Sequence, residues 1–221
     1  AEWDNTIWFA SDGGGLQVIW PETNRMQVFS NRLSDQFPAS SIACLCPSNE
    51  NIWVGTVHEG VLNIESGFMT TYMKAAWRKA AGLSAKCTLC LWEDTDGRIW
   101  IGTDGGGVNS YDQKTQKFTH YPATFNEKIV SICPLSEQEL LVSCYQKGLF
   151  RFNKKSGTPT PFVLPNPTAE QEMKDVGVPV NLWTTPNGDI EMSGKVTYRY
   201  SPASRQLTRL QPNFETRSSW T

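Results

Sequence analysis

The sequence predicts an all-β protein, a β-propeller of about five four-stranded antiparallel blades forming a single domain over residues 1–221. Three observations predict it. First, five stretches align with one another: NTIWFASDGGGLQVI, ENIWVGTVHEGVLNI, GRIWIGTDGGGVNSY, QELLVSCYQKGLFRF and GDIEMSGKVTYRY. Their centres (Trp8, Trp53, Trp100, Leu141 and Glu191) lie 41 to 50 residues apart, the period of propeller blades. Second, each period holds several short β-branched or aromatic runs separated by turn residues, and 17 Gly with 13 Pro fit a chain that reverses often. Third, nine Trp, ten Phe and six Tyr supply the bulk needed to fill the space between stacked sheets.

The third repeat shows the order of the strands. AKCTLCLWED is largely apolar and fits an innermost strand buried on both faces. DTDGR turns the chain at Gly97, IWIGT forms the second strand, DGGG turns it again, and VNSY forms the third. DQKTQK is a polar turn in which the Asp112 carboxylate accepts main-chain N–H bonds, and FTHY closes the blade as the outermost strand. One such blade leaves both faces apolar and requires a neighbour on each side. The repeats divide approximately as 1–37, 38–82, 83–125, 126–175 and 176–221.

Two segments depart from the pattern. YMKAAWRKAAG, from Tyr72 to Gly82, carries no β signal, and its Ala, Lys and Arg content predicts a short surface helix. PFVLPNPTAEQEMKDVGVP reads as a long Pro-bounded excursion between the fourth and fifth repeats. Each is expected to join the outer strand of one blade to the inner strand of the next. At the ends, AEWDNTIWF carries only the tail of an innermost strand, while RSSWT resembles the start of one. With Thr221 joined to Ala1, nine residues would separate Trp220 from Trp8, within the range of 7 to 10 found inside the repeats. The C-terminal strand is thus expected to complete the first blade and close the ring; the alternative is an arc of a larger propeller. The chain begins at Ala1 without a leader-like segment and reads as a processed protein or a piece of a larger one.

Composition excludes several classes. A net charge of −2, from 20 basic and 22 acidic residues, gives no basic footprint for nucleic acid. No apolar run reaches the roughly 18 to 20 residues of a membrane-spanning helix. Of the six cysteines, Cys87 and Cys90 form a C-x-x-C, but on a strand their side chains point to opposite faces. No second such pair follows, and the two histidines are His58 and His120. No metal site and no cofactor are expected, and the cysteines read as reduced, apolar core residues.

The run WEDTDGRIWIGTDGGGVNSYDQKTQKFTHY resembles the two-component-regulator propeller repeat, with Asp96, Gly97, Ile99, Trp100, Gly102, Thr103, Gly106, Gly107, Tyr111, Asp112, Thr115 and Phe118 on its recurring positions. Ile52, Trp53, Gly55, Thr56 and Gly60 keep the pattern in the second repeat. Ile7, Trp8, Gly14 and Gly15 keep it in the first, and the last two repeats follow it more loosely. The resemblance implies a periplasmic sensor region, the extracytoplasmic part of an inner-membrane hybrid two-component histidine kinase and response regulator. Such a region would respond to oligosaccharides and self-associate in the full-length receptor. This chain would then be a fragment without enzymatic activity of its own. The alternatives are a protein-interaction scaffold and a secreted propeller lyase or other glycan-active enzyme.

In a propeller the turn between the second and third strands opens on the same end as the blade-to-blade connection, around the channel mouth. That end gathers Asp12, His58, Glu59, Asp104, Tyr145, Gln146 and Lys147 as candidate ligand-binding residues. The long connections add Trp77, Arg78, Lys79 and Phe125. The set combines aromatic faces with planar polar groups, as carbohydrate sites do. Asp12 and Asp104 occupy equivalent turns, the one arrangement that suits a carboxylate pair, but each also has a turn-forming reason to be Asp. No catalytic residue is assigned. The central Trp8, Trp53 and Trp100 are expected to pack between blades, because they recur at one place in the repeat.

Overall fold

The structure, a computed structural model, describes residues 1–33, 37–48, 51–65, 77–79, 82–124, 126–174 and 180–210. Among these residues the strands form five four-stranded antiparallel sheets, each a simple meander with its first strand innermost. Blade 1 comprises β1 (Glu2–Trp3), β2 (Thr6–Ser11), β3 (Gly15–Trp20) and β4 (Arg25–Phe29). Blade 2 comprises β5 (Ile42–Pro47), β6 (Asn51–Thr56), β7 (Val61–Glu65) and β8 (Trp77–Lys79). Blade 3 comprises β9 (Thr88–Glu93), β10 (Arg98–Thr103), β11 (Val108–Asp112) and β12 (Lys117–His120). Blade 4 comprises β13 (Ile129–Pro134), β14 (Glu139–Cys144), β15 (Gly148–Asn153) and β16 (Pro159–Pro161). Blade 5 comprises β17 (Asn181–Thr184), β18 (Ile190–Ser193), β19 (Thr197–Ser201) and β20 (Gln206–Leu210).

One local expectation is corrected and another gains detail. The outermost strand of blade 2 is β8 itself, paired with Leu62, Asn63 and Ile64, so Trp77 and Arg78 belong to a strand and not to a surface helix. A sheet edge that needs a fourth strand outweighs the helix propensity of Ala and Lys, which is a weak prior in tertiary context. The excursion after blade 4 contains a helix, α1 (Pro167–Lys174). The Asn166 side chain accepts the Thr168 N–H at 3.0 Å, and Pro167 follows it at the first helical position. Ala169 is fully buried against blade 5.

The inner strands carry a recurring irregularity. Ala43, Leu89 and Val130 are each the extra residue where register shifts between the first and second strands of blades 2, 3 and 4. Just beyond the bulge, Cys44 and Cys90 pair with Gly55 and Gly102. A Cβ on Gly55 would lie 2.3 Å from the Cys44 sulfur, and one on Gly102 would lie 2.4 Å from that of Cys90. The glycine of the IWVGT and IWIGT strands is therefore the place where the inner-strand thiol sits. The thiol of Cys90 in turn faces the Ile129 carbonyl of blade 4 at 3.8 Å, and Ser131 bonds the Leu182 carbonyl of blade 5 at 3.2 Å. Side chains at one register position thus stitch the innermost strand of blade 3 to that of blade 4, and that of blade 4 to that of blade 5. All six cysteines are free thiols, and Cys46, Cys90, Cys133 and Cys144 are buried, as a core role requires.

Blade stacking follows the repeat. Trp100 is 1% exposed, stacks on Tyr121 of its own blade at 5.5 Å, and meets Phe152 of blade 4 edge-on at 5.8 Å. Trp53 meets Tyr111 of blade 3 at 5.3 Å, and Trp8 is buried against Ile52, Val54 and their neighbours in blade 2. Each blade thus turns its Trp-type face to the Ile-type face of the next. The two ends differ. On blade 1 the Ile-type face has no cover among the described residues: Phe9 is 46% exposed, whereas its register equivalents Val54, Ile101 and Val142 are 0 to 2% exposed. On blade 5, Glu191 stands where Trp100 stands in blade 3. It accepts hydrogen bonds from Trp183 at 2.8 Å and Arg199 at 3.0 Å, which makes that face polar. The proposed closing strand, with Trp220, lies outside the described residues.

Candidate functional site: the rim of blades 3 and 4

The rim is built on one repeated turn. In blades 1, 2 and 3 the hydroxyl at the end of the second strand donates to the carbonyl four residues on: Ser11 to Gly15 at 3.0 Å, Thr56 to Gly60 at 2.9 Å and Thr103 to Gly107 at 2.9 Å. The N–H of each of these glycines crosses to the next blade. Gly15 donates to the Ser40 carbonyl at 2.7 Å, Gly60 to Lys86 at 2.8 Å and Gly107 to Glu127 at 3.2 Å. The turn between strands two and three and the blade-to-blade connection therefore do share one end, and they are bonded to each other there.

Blade 4 departs from this scheme because Cys144 replaces the hydroxyl. Its thiol donates to the Glu127 carboxylate at 3.3 Å, and the same carboxylate pairs with Lys147. Burial, then the adjacent Glu127, pushes the Cys144 thiol up to about 12. The hydrogen bond from Lys147 outweighs partial burial and holds the Glu127 carboxyl below its usual range. Beside this group, Lys128 pairs with Asp104 at 2.8 Å and lies 5.5 Å from the centre of the Tyr145 ring. The hydrogen bond to Asp104 raises the Lys128 ammonium above its ordinary value.

The structure therefore brings together three of the sequence-predicted residues, Asp104, Tyr145 and Lys147, around Glu127 and Lys128. Gln146 is exposed in the same turn with φ 63°, a left-handed conformation that serves the chain reversal. Asp12 is exposed on the equivalent turn of blade 1, and His58 and Glu59 lie on that of blade 2, where the Glu59 N–H is held by Thr56 at 2.8 Å. Trp77 and Arg78 are on the outer edge strand of blade 2 and not on a connection at the mouth. Phe125 lies outside the described residues. Sequence reading missed Glu127 and Lys128, although both stand immediately before an innermost strand, at the end assigned to the mouth.

Between blades 3 and 4 the same rim opens into a cleft of about 160 Å³. Ile129, Val142, Phe150 and Phe152 form its apolar walls, Ala123 and Thr124 one lip, and Glu127, Cys144 and Lys147 the polar side. Among the described residues no group of His, Cys, Asp and Glu is arranged to hold a metal ion, and no helix is long and apolar enough to cross a membrane.

The family described as two component regulator propeller matches residues 82–105, from the connection into blade 3 to the rim residue Asp104. No curated protein matches the chain. Among solved structures, the extracellular domain of the putative hybrid two component system BT3049 from B. thetaiotaomicron superposes with TM-score 0.67 at 14% identity, over 95% of this chain and 27% of that one. The extracellular domain of the putative one component system BT4673 from the same organism gives TM-score 0.66 at 17% identity, over 95% and 27%. PorZ, a surface component of the type-IX secretion system of Porphyromonas gingivalis, gives TM-score 0.65 at 15% identity, over 96% and 27%. The chain spans about a quarter of the length of these structures. It shares their fold, and residues 82–105, which include the first two strands of its third blade, match the family whose repeat its sequence resembles.

Proposed function

We propose that this chain is a ligand-sensing propeller segment from the periplasmic part of a hybrid two-component sensor, and that it responds to oligosaccharides at the rim. The observation that carries the reading is the coincidence of the family match, residues 82–105, with the strands that deliver Asp104 to the rim beside Lys128 and Tyr145. Paired charges next to an aromatic ring offer a sugar both hydroxyl partners and a stacking face. The kinase and membrane anchor of such a receptor would lie outside these residues. A binding role accords with the rim carboxylates, because Asp104 and Glu127 are each paired with a lysine.

Thermal shift and calorimetry against a panel of glycan-derived oligosaccharides test the reading, since a bound ligand raises apparent stability. A hit is expected to lose at least tenfold in affinity with Asp104→Ala or Tyr145→Ala, with no turnover of the sugar. No hit across the panel, or product formation that Asp104→Ala abolishes, would overturn it. A second reading, an interaction scaffold, draws on the open apolar face of blade 1 with Phe9 and Met26 exposed. It predicts self-association by size exclusion with light scattering, lost on Phe9→Asp.

A further inference from the structure

We infer that the cleft between blades 3 and 4 binds a single aromatic ring bearing a protonated amine, a ligand distinct from a sugar at the outer rim. Size is the first argument. At about 160 Å³ the cleft is close to the roughly 150 Å³ of an apolar cavity that accepts benzene, and below the roughly 300 Å³ at which drug-sized pockets begin.

Wall chemistry is the second. Ile129, Val142 and Phe152 are buried or nearly so, Phe150 adds a second aromatic ring, and none of these four brings a side-chain hydrogen-bonding atom. A sugar ring placed there would strand its hydroxyls, at a cost of one or more unmet hydrogen bonds. A planar hydrocarbon ring gains edge or face contacts with Phe150, the wall ring that is only partly buried.

Polarity at one side is the third. The Glu127 carboxylate stands at that side with its side chain 24% exposed, and its cation partner is the more exposed Lys147, at 58%. The Cys144 thiol, the carboxylate's other partner, is neutral and stays a donor. An incoming ammonium therefore takes the place of the Lys147 ammonium on Glu127, while its ring enters the cleft. Lys147 swings to solvent with no charge left unpaired in the interior. Because the lysine competes for the carboxylate, its removal is expected to strengthen binding of an amine.

Benzylamine and toluene are the probes, followed by amide chemical shifts of the ¹⁵N-labelled chain. Saturable shifts at Val142, Cys144 and Phe152 are expected for both. Glu127→Gln is expected to weaken benzylamine at least tenfold and leave toluene unchanged, whereas Lys147→Gln strengthens benzylamine severalfold. Val142→Phe fills the cleft and should abolish both; where that variant does not fold, Ala123→Trp at the exposed lip serves the same end. No saturable shift in the wild type and Lys147→Gln proteins, or binding that survives Ala123→Trp, would overturn the assignment. So would an amine affinity that Glu127→Gln leaves unchanged. The probes are not sugars, so failure here leaves the oligosaccharide reading of the rim untouched.

Discussion

The main-chain N–H of Gly107 donates to the carbonyl of Glu127, 3.2 Å away across the junction of blades 3 and 4. The bond places the backbone of Glu127 so that its carboxylate reaches Cys144 and Lys147 on the blade 4 turn. Gly107 holds φ +69°, and a Cβ there would lie 2.1 Å from the Thr124 carbonyl oxygen. Gly105, two residues earlier, also has positive φ (+83°) but faces open space.

Gly107→Ala is accordingly expected to cost more than about 3 kcal/mol, since it adds a backbone clash to the left-handed penalty. Gly105→Ala is expected to cost about 1 to 2 kcal/mol, the conformational penalty alone. Urea unfolding midpoints of the two variants measure the difference, and equal midpoints would show that the junction yields to accommodate the methyl group.

Phe9 and Ile101 occupy the same place in their blades, yet one is 46% exposed and the other fully buried. Ile101→Ala is expected to cost about 2 to 5 kcal/mol, as buried aliphatic truncations do. Phe9→Ala is expected to cost under about 1 kcal/mol in the isolated chain. A cost for Phe9→Ala as large as that for Ile101→Ala would mean that blade 1 is covered in solution.

Acid should weaken the junction of blades 3 and 4 through Asp94. Burial pushes its carboxyl up, but hydrogen bonds from Lys154, the Thr95 N–H and the Trp100 indole outweigh it, and the net shift is downward. Lys154 lies 2.6 Å away, on the neighbouring blade. A carboxyl depressed by folding contributes stability above its unfolded value, near pH 4, and loses it as pH falls through the folded value. The stability gap between wild type and Asp94→Asn is expected to be constant from pH 5 to 7 and to close below about pH 4, as equilibrium unfolding at each pH will show.

Thiol reactivity provides a fourth check. Burial pushes Cys46 up to about 11 and Cys90 and Cys133 to about 12; Cys144 reaches about 12 with Glu127 adding to burial. Cys87 is half-buried at the rim, and burial, then Asp104, raises it. Iodoacetamide at pH 8 is expected to modify Cys87 first in the native chain and all six thiols in urea, read by peptide mass mapping. Early modification of Cys90 would contradict its burial beneath Gly102.

The sequence by itself determined the blades. Short apolar runs, a Trp at each of three centres and recurring turn residues specify a repeated meander through local physics, and the approximate period, strand order and the packing role of Trp8, Trp53 and Trp100 were legible from them. It determined the rim in part, because a turn between two known strands has a known end; Asp104, Tyr145 and Lys147 were found this way. Tertiary structure decided what those residues touch. Glu127 and Lys128 lead into blade 4: Lys128 meets Asp104 only after blade 4 stacks on blade 3, and Glu127 meets Lys147 only once the strands of blade 4 have paired, so no local pattern marks them. Tertiary context likewise drew Trp77–Lys79 into an edge strand against its propensity. It also left Phe9 uncovered where its equivalents are buried, because burial depends on which sheet arrives next and not on the residue itself.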